Sequence, residues 1–159
     1  MLGQAALQLD ELETHIDFFD EEIKRFSREH EACQRMQTIL GFGVIISSVF
    51  FAQLGTGEAY RRGRDVSASL GLVPRQYSSG SKEVLLGISK WGGCYLRGLL
   101  IHGARAVVRH AYGKGGRLSR WIQRPVERRG HNKAVVALAN KMARMGWAIL
   151  AHKIMYGAV

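Results

Sequence analysis

The stretch Tyr77-Ser78-Ser79-Gly80-Ser81 sets three hydroxyls around a glycine, with Arg75 and Lys82 beside it and Lys90 and Arg97 further along the chain. A serine oxygen attacks phosphorus only after a base or a metal ion activates its hydroxyl, and the phosphoryl oxygens need positive charge around them. Arg75, Lys82, Lys90 and Arg97 are the residue types that supply such charge, and Gly80, lacking a Cβ, lets the backbone come close to a phosphate. The chemistry these residues point to is transfer of a phosphodiester. A solvated serine-rich turn has the same composition, and on its own the motif says no more than that.

Other positions suit a polyanion. Gly41-Phe42-Gly43, between two helical segments, can form a hairpin whose exposed amides and following helix N-terminus accept a phosphate, although two nearby glycines also make an ordinary tight turn. Arg117, Arg120, Arg124, Arg128 and Arg129 recur with almost no acid among them, and Trp121 stands between two of these arginines as a candidate stacking surface. Trp91 is a second tryptophan able to stack on a base, whereas Trp147, at helical spacing among apolar residues, reads as core. His102, His110 and His131 read as surface or phosphate-contacting groups more readily than as proton shuttles. Cys33 and Cys94 lie far apart with no Cys/His spacing around them, so no metal site and no disulfide framework is expected.

The elements that must position these residues are helical. Leu2, Ala5, Leu9, Leu12, Ile16, Phe19, Ile23 and Phe26 keep a strict three-four spacing, which predicts a coiled-coil helix over residues 1–35. Its flanking positions carry Glu13, Asp20, Glu22 and Glu29, so a copy of the same helix meets like charges and a more basic helix is the better partner. A helical domain over 36–159 is expected to follow, with a helix-hairpin-helix-like element at 36–57 and a polar serine loop at 71–82. Gly71-Leu72-Val73-Pro74 ends a short helix from Val66 to Leu70, since Pro74 disfavours helical geometry at Val73. Helices are predicted from about Tyr95 to Arg109 and from about Lys133 to Met155, with a break at Tyr112-Gly113-Lys114-Gly115-Gly116. No alternating run of strand length is evident, and the fold class expected is all-α.

Charge narrows the class of partner. Residues 1–59 hold ten acids and four bases, a balance of −6, and residues 60–159 hold nineteen bases and three acids, a balance of +16, which together give the net +10 of the chain. Asp65, Glu83 and Glu127 are the acids of the basic part. A segment so basic binds polyanions through counterion release, with nucleic acid the first candidate and an RNA particle or an anionic membrane surface the plainer alternatives. The longest apolar run, Val44 to Ala52, is far short of the roughly 20 residues a membrane helix needs. A soluble protein of the reducing cytoplasm, with no membrane partner, is expected.

Several blocks, taken in order, resemble a known family. They are Gly71-Leu72-Val73-Pro74-Arg75-Gln76-Tyr77-Ser78-Ser79-Gly80-Ser81-Lys82, then Leu86-Gly87-Ile88-Ser89-Lys90, then Tyr95-Leu96-Arg97-Gly98-Leu99-Leu100, and the tail from Asn132 to Arg144. They resemble the C-terminal domain of insertion-sequence transposases of the IS116/IS110/IS902 type. The resemblance implies a DNA-binding domain that supplies a serine nucleophile for DNA cleavage and joining. That serine is Ser79 by match to the motif, with Ser78 as the fallback; on charge and backbone grounds, the expected nucleic-acid contacts are Gly41, Gly43, Arg75, Lys82, Lys90, Arg97, Arg117, Arg120 and Arg124. It further implies a RuvC-like partner domain whose carboxylates hold magnesium, a bridging guide RNA, and no cofactor in this chain. Members commonly have proline where Leu40 stands, a basic residue at Trp91 and a polar one at Gly93. The chain is expected to be truncated, beginning within a coiled-coil hairpin, to be inactive alone and to self-associate through its first helix. The alternative is a non-catalytic nucleic-acid-binding remnant or regulator of the parent element.

Overall fold

Seven helices and one two-stranded antiparallel ribbon make up the protein in a computed structural model that describes residues 2–79, 82–111 and 115–157, the side chains of 2, 77–79 and 82–85 excepted. In chain order these are α1 (Leu2–Glu29), α2 (Glu31–Gln37), α3 (Val44–Leu54), α4 (Gly63–Ser69), β1 (Pro74–Ser79), β2 (Lys82–Ile88), α5 (Cys94–His110), α6 (Arg117–Arg129) and α7 (His131–His152). The all-α class holds, with the ribbon as its one sheet among the described residues.

α1 is the long helix that its three-four spacing predicts. Only its last turns meet the rest of the protein: Ile23 and Phe26 are half-buried and Ser27 is buried, and the helix packs on α2 and α3. Its earlier seam faces outward, with Leu9 61%, Leu12 56%, Ile16 59% and Phe19 60% exposed. Ion pairs such as Lys24–Glu21 at 2.7 Å run along its solvent-exposed surface. The helix stops at His30, whose backbone is extended and whose ring stacks on Phe26 with centroids 4.1 Å apart.

α7 is the centre of the core. It buries Ala134, Val135, Leu138, Ala139, Met142, Ala143, Ile149 and Leu150, and α2, α4, α5 and α6 all pack on it. It is long and apolar enough to cross a bilayer by length and composition, yet half of that stretch is buried inside the protein. α5 meets it with a four-residue stripe, Leu96, Leu100, Ala104 and Val108, the spacing that keeps side chains on one helix face. α3 is mostly apolar and buries Ile46, Phe50 and Leu54 together with Ser47 and Ser48. Cys33 is also buried, its Sγ 3.7 Å from Ser47 O, and burial pushes its thiol up from the usual 9.0 to about 11.

Two elements depart from the sequence-based expectation. The segment expected as a polar loop is a β-ribbon in which Ser79 pairs with Lys82, Ser78 with Glu83, Tyr77 with Val84 and Gln76 with Leu85, with an irregular step before Pro74 pairs with Ile88. The two strands carry no regular apolar–polar alternation, so the pattern that reveals most strands is missing here. The arginine run is the second departure: it forms the thirteen-residue α6, which contains Pro125 and buries only Ile122. Proline removes one amide from the ladder, and the helix continues around it because the apolar side, Leu118, Ile122 and Val126, rests on the core. The break expected at Tyr112-Gly113-Lys114 lies outside the described residues.

Candidate nucleic-acid interface

The ribbon carrying Ser79 is held at its root by main-chain groups and two side chains. Ser89 N–H donates to Val73 O at 2.8 Å and Lys90 N–H to Gly71 O at 3.1 Å, extending the ladder below β1 and β2. Gly71 and Gly92 have φ of +65° and +79°, and a Cβ on either would collide with main-chain atoms of the opposite arm, Trp91 for Gly71 and Ser69 for Gly92. Only glycine fits both the left-handed conformation and the approach. From α5, Arg97 donates through Nη1 to Leu70 O at 3.0 Å and to Trp91 O at 3.3 Å, tying both arms together. From α7, Asn140 donates through Nδ2 to Leu72 O at 3.1 Å, while Ser67 Oγ donates to Asn140 O at 3.3 Å.

Ser79 therefore stands at the far end of β1, in register with Lys82 at the start of β2. Gly80 and Ser81, and the side chains of Ser78, Ser79 and Lys82, lie outside the described residues. Arg75 is exposed on β1, and Lys90 is exposed just past β2 with φ of +59°, an uncommon backbone for a non-glycine residue. Beside it Trp91 is 77% exposed, and Tyr95 in the first turn of α5 is 61% exposed. The root of the ribbon thus combines exposed cations with open aromatic faces, a pairing suited to phosphates and bases.

The glycines of the α2–α3 connection have separate roles. Gly41 has φ of +90°, and a Cβ there would meet Val107 Cγ2 at 2.8 Å, Met142 Cε at 2.9 Å and Gly103 O at 3.0 Å. It is wedged against α5, where a Cβ on Gly103 would in turn strike Gly41 O. Gly43 is the exposed N-cap of α3, with nothing within 4 Å of where a Cβ would stand. Gly103 comes six residues after Arg97, about 9 Å further along the axis of α5, so one helix braces both the connection and the ribbon.

α6 brings Arg117, Arg120, Arg124 and Arg128 to one exposed face, at three- and four-residue intervals. Trp121 is half-buried against the core, with Lys141 Nζ 5.0 Å from its ring centroid, so the indole most open to a base is Trp91 instead. Trp147 packs against the core and donates its indole N–H to Gly57 O at 3.1 Å. His102, His110 and His131 are exposed. The residues that sequence reasoning missed are Gly103 and Asn140. Gly103 carries no local signal, whereas Asn140 is marked as a polar side chain on the apolar side of α7.

The electrostatics of the molecule are one-sided. Among the described residues every ion pair lies in α1 and α2, and none involves a cation of residues 60–159. Asp65 accepts from the Arg62 backbone N–H at 3.0 Å and so caps α4. Among the described residues no group of three His, Cys, Asp or Glu side chains could hold a metal ion.

Comparison with known proteins follows the same residues. The profile of the family described as "Transposase IS116/IS110/IS902 family" matches residues 33–120. The chain is 49% identical over 138 residues to the transposase for insertion sequence element IS1111A of Coxiella burnetii, covering 87% of this chain and 38% of that protein. It is 44% identical over 156 residues to a probable family 20 transposase of Pseudomonas aeruginosa, covering 98% and 46%. It is 42% identical to the transposase for insertion sequence element IS1328 of Yersinia enterocolitica, covering 84% and 40%. The chain spans less than half the length of each of these relatives.

Proposed function

This chain belongs to the IS116/IS110/IS902 transposase family, and on that premise we propose that it is the DNA-binding C-terminal part of an insertion-sequence transposase, with Ser79 as the nucleophile for strand cleavage and joining. The observation that carries the DNA-binding reading is the basic part of the chain, +16 over residues 60–159 and free of ion pairs among the described residues. Cations with no acid partner are available to phosphates at no cost in broken ion pairs, and the counterions they release favour binding.

Support for Ser79 comes from its place at the far end of β1 and from the exposed cations Arg75 on β1 and Lys90 just past β2. In the step assigned to it, the serine oxygen forms a bond to phosphorus and gives up its proton to a base or solvent. The bond from phosphorus to a deoxyribose oxygen breaks, and that oxygen takes up a proton. Magnesium, on this reading, is held by a RuvC-like partner domain, and this chain supplies the nucleophile, the positive charge and the grip on the strand. A bridging guide RNA is a further polyanion that the same surface is suited to hold.

The test uses the full chain with DNA carrying the element ends. In magnesium alone no covalent adduct is expected. With the RuvC-like domain added in trans an adduct should form with the native chain and with Ser78→Ala, and be lost in Ser79→Ala. An adduct that persists in Ser79→Ala overturns the assignment. The second reading, a non-catalytic nucleic-acid-binding regulator, draws on the same unpaired charge, which does not depend on Ser79; tight DNA binding with no adduct under any of these conditions would establish it.

A further inference from the structure

Helices α4, α6 and α7, with the segment that follows α7, enclose a groove of about 920 Å³. Five cations line it, Arg62, Arg64, Arg117, Lys141 and Arg144, and no acid does. None of the five has an ion-pair partner among the described residues. Like charges around a concave, poorly polarisable wall focus positive potential into it, so the occupant must carry negative charge. The groove's size is at the upper end of the range for sites that enclose a small molecule.

The arrangement of polar and apolar groups narrows the chemistry. The four arginines are exposed and form a rim, whereas Trp121 is half-buried and belongs to an apolar floor. Lys141 Nζ lies 5.0 Å from the Trp121 ring centroid, so the π-face holds the ammonium inside the groove. A bare phosphate would use the rim and leave the floor wet. A duplex keeps its bases stacked inward and offers this surface phosphates only, with the same result. A single strand can send an unstacked base onto an apolar floor and leave its flanking phosphates at the rim.

We propose that this groove binds an unpaired nucleotide within a single-stranded DNA or RNA segment, its base on the floor around Trp121 and its phosphates on Arg62, Arg64, Arg117 and Arg144. The choice of nucleic acid as the polyanion rests on the reading in the preceding section; the groove and its charge are independent of Ser79. The surface is therefore a second point of contact besides the ribbon, one that selects strand state and not sequence.

The experiment measures binding of the full chain to fluorescein-labelled oligothymidylate and oligouridylate of about twelve nucleotides, within the range of single-strand site sizes, and to a duplex of equal length. The groove variant is Arg64→Glu with Arg144→Glu; the control, Arg128→Glu with Arg129→Glu, reverses the same charge elsewhere on the exposed surface. Circular dichroism confirms the fold of each, and the milder pair Arg64→Ala with Arg144→Ala replaces the first if it unfolds. The groove variant should lose at least about tenfold more affinity for the single strands than the control does, with a comparable loss for duplex in both. The two single-strand arms show whether DNA or RNA is the preferred source. Equal losses in the two variants would overturn the proposal, since binding would then be diffuse. Unchanged single-strand affinity in the groove variant would also overturn it. Either result leaves the Ser79 adduct test standing, and failure of that test leaves this one standing.

Discussion

Replacing Arg97 with alanine removes both hydrogen bonds by which α5 ties the arms of the ribbon together, to Leu70 O at 3.0 Å and to Trp91 O at 3.3 Å. A hydrogen bond to a charged group is worth about 1.5–3 kcal/mol net, and because the second one is long and exposed the pair is worth about 2 kcal/mol. Neighbouring Leu96 and Leu100 stay buried, so the loss falls on local opening of the ribbon root and not on the core. At 1.4 kcal/mol per factor of ten, a loss of about 2 kcal/mol raises the open population roughly 30-fold. Amide hydrogen exchange reads this directly at Ser89 and Lys90, whose N–H groups donate to Val73 O and Gly71 O. Both should exchange roughly 30-fold faster in Arg97→Ala, with the amides of α7 little changed. If their protection stays within about twofold of the native chain while DNA binding falls, Arg97 acts as a phosphate contact and the positioning argument is refuted.

Three further outcomes follow from the packing and the charges. Gly103→Val should cost about 3 kcal/mol or more, because the added atoms meet the backbone oxygen of Gly41 and not a movable side chain; thermal melting within a degree or two of the native chain would show that the α3–α5 contact yields. Cys33 is raised from 9.0 to about 11 in the folded chain, so its contribution to stability is fully present below pH 9.0 and is lost as pH rises through the folded value. Urea midpoints should therefore fall across that window in the native chain more than in Cys33→Ala, and parallel profiles would contradict the burial argument. The exposed seam of α1, flanked by Glu13, Asp20, Glu22 and Glu29, should give weak self-association that strengthens with salt. Sedimentation of a strict monomer at high concentration would count against it.

The helices with long apolar stripes were readable from the sequence because burial imposes a period. α7 and α5 each show one and the structure differs mainly at their ends, whereas most of the periodic seam of α1 is exposed. The short α4 was also readable, since Gly71 and Pro74 mark where it must stop. The ribbon was not, because its strands show no regular apolar–polar alternation. α6 was hidden for another reason: its single buried residue, Ile122, is outnumbered by arginines, and Pro125 argues against a helix that packing nevertheless sustains. Of the candidate site, the identities of Arg75, Lys90 and the arginines of α6 were legible as types, since a surface role needs only exposure. Arg97 shows the limit. A charge reads the same in sequence whether it faces solvent or grips two carbonyls, and only the fold brings Leu70 and Trp91 to its guanidinium.

The mounting of the ribbon has a mechanical consequence. β1 and β2 form an arm about 20 Å long on a base two strands, or about 4.8 Å, wide. Ordinary thermal displacement of about 0.5 Å between the two sides of that base tilts the arm by roughly 6° and swings its far end by about 2 Å. Positioning a reacting oxygen demands about 0.5 Å. Under the role proposed for Ser79, leverage of this size leaves a fourfold gap, which contacts made at the tip by a bound strand or partner would have to close. Accuracy at the far end is then a joint property of the arm and its abutment, and it exists only once both are in place.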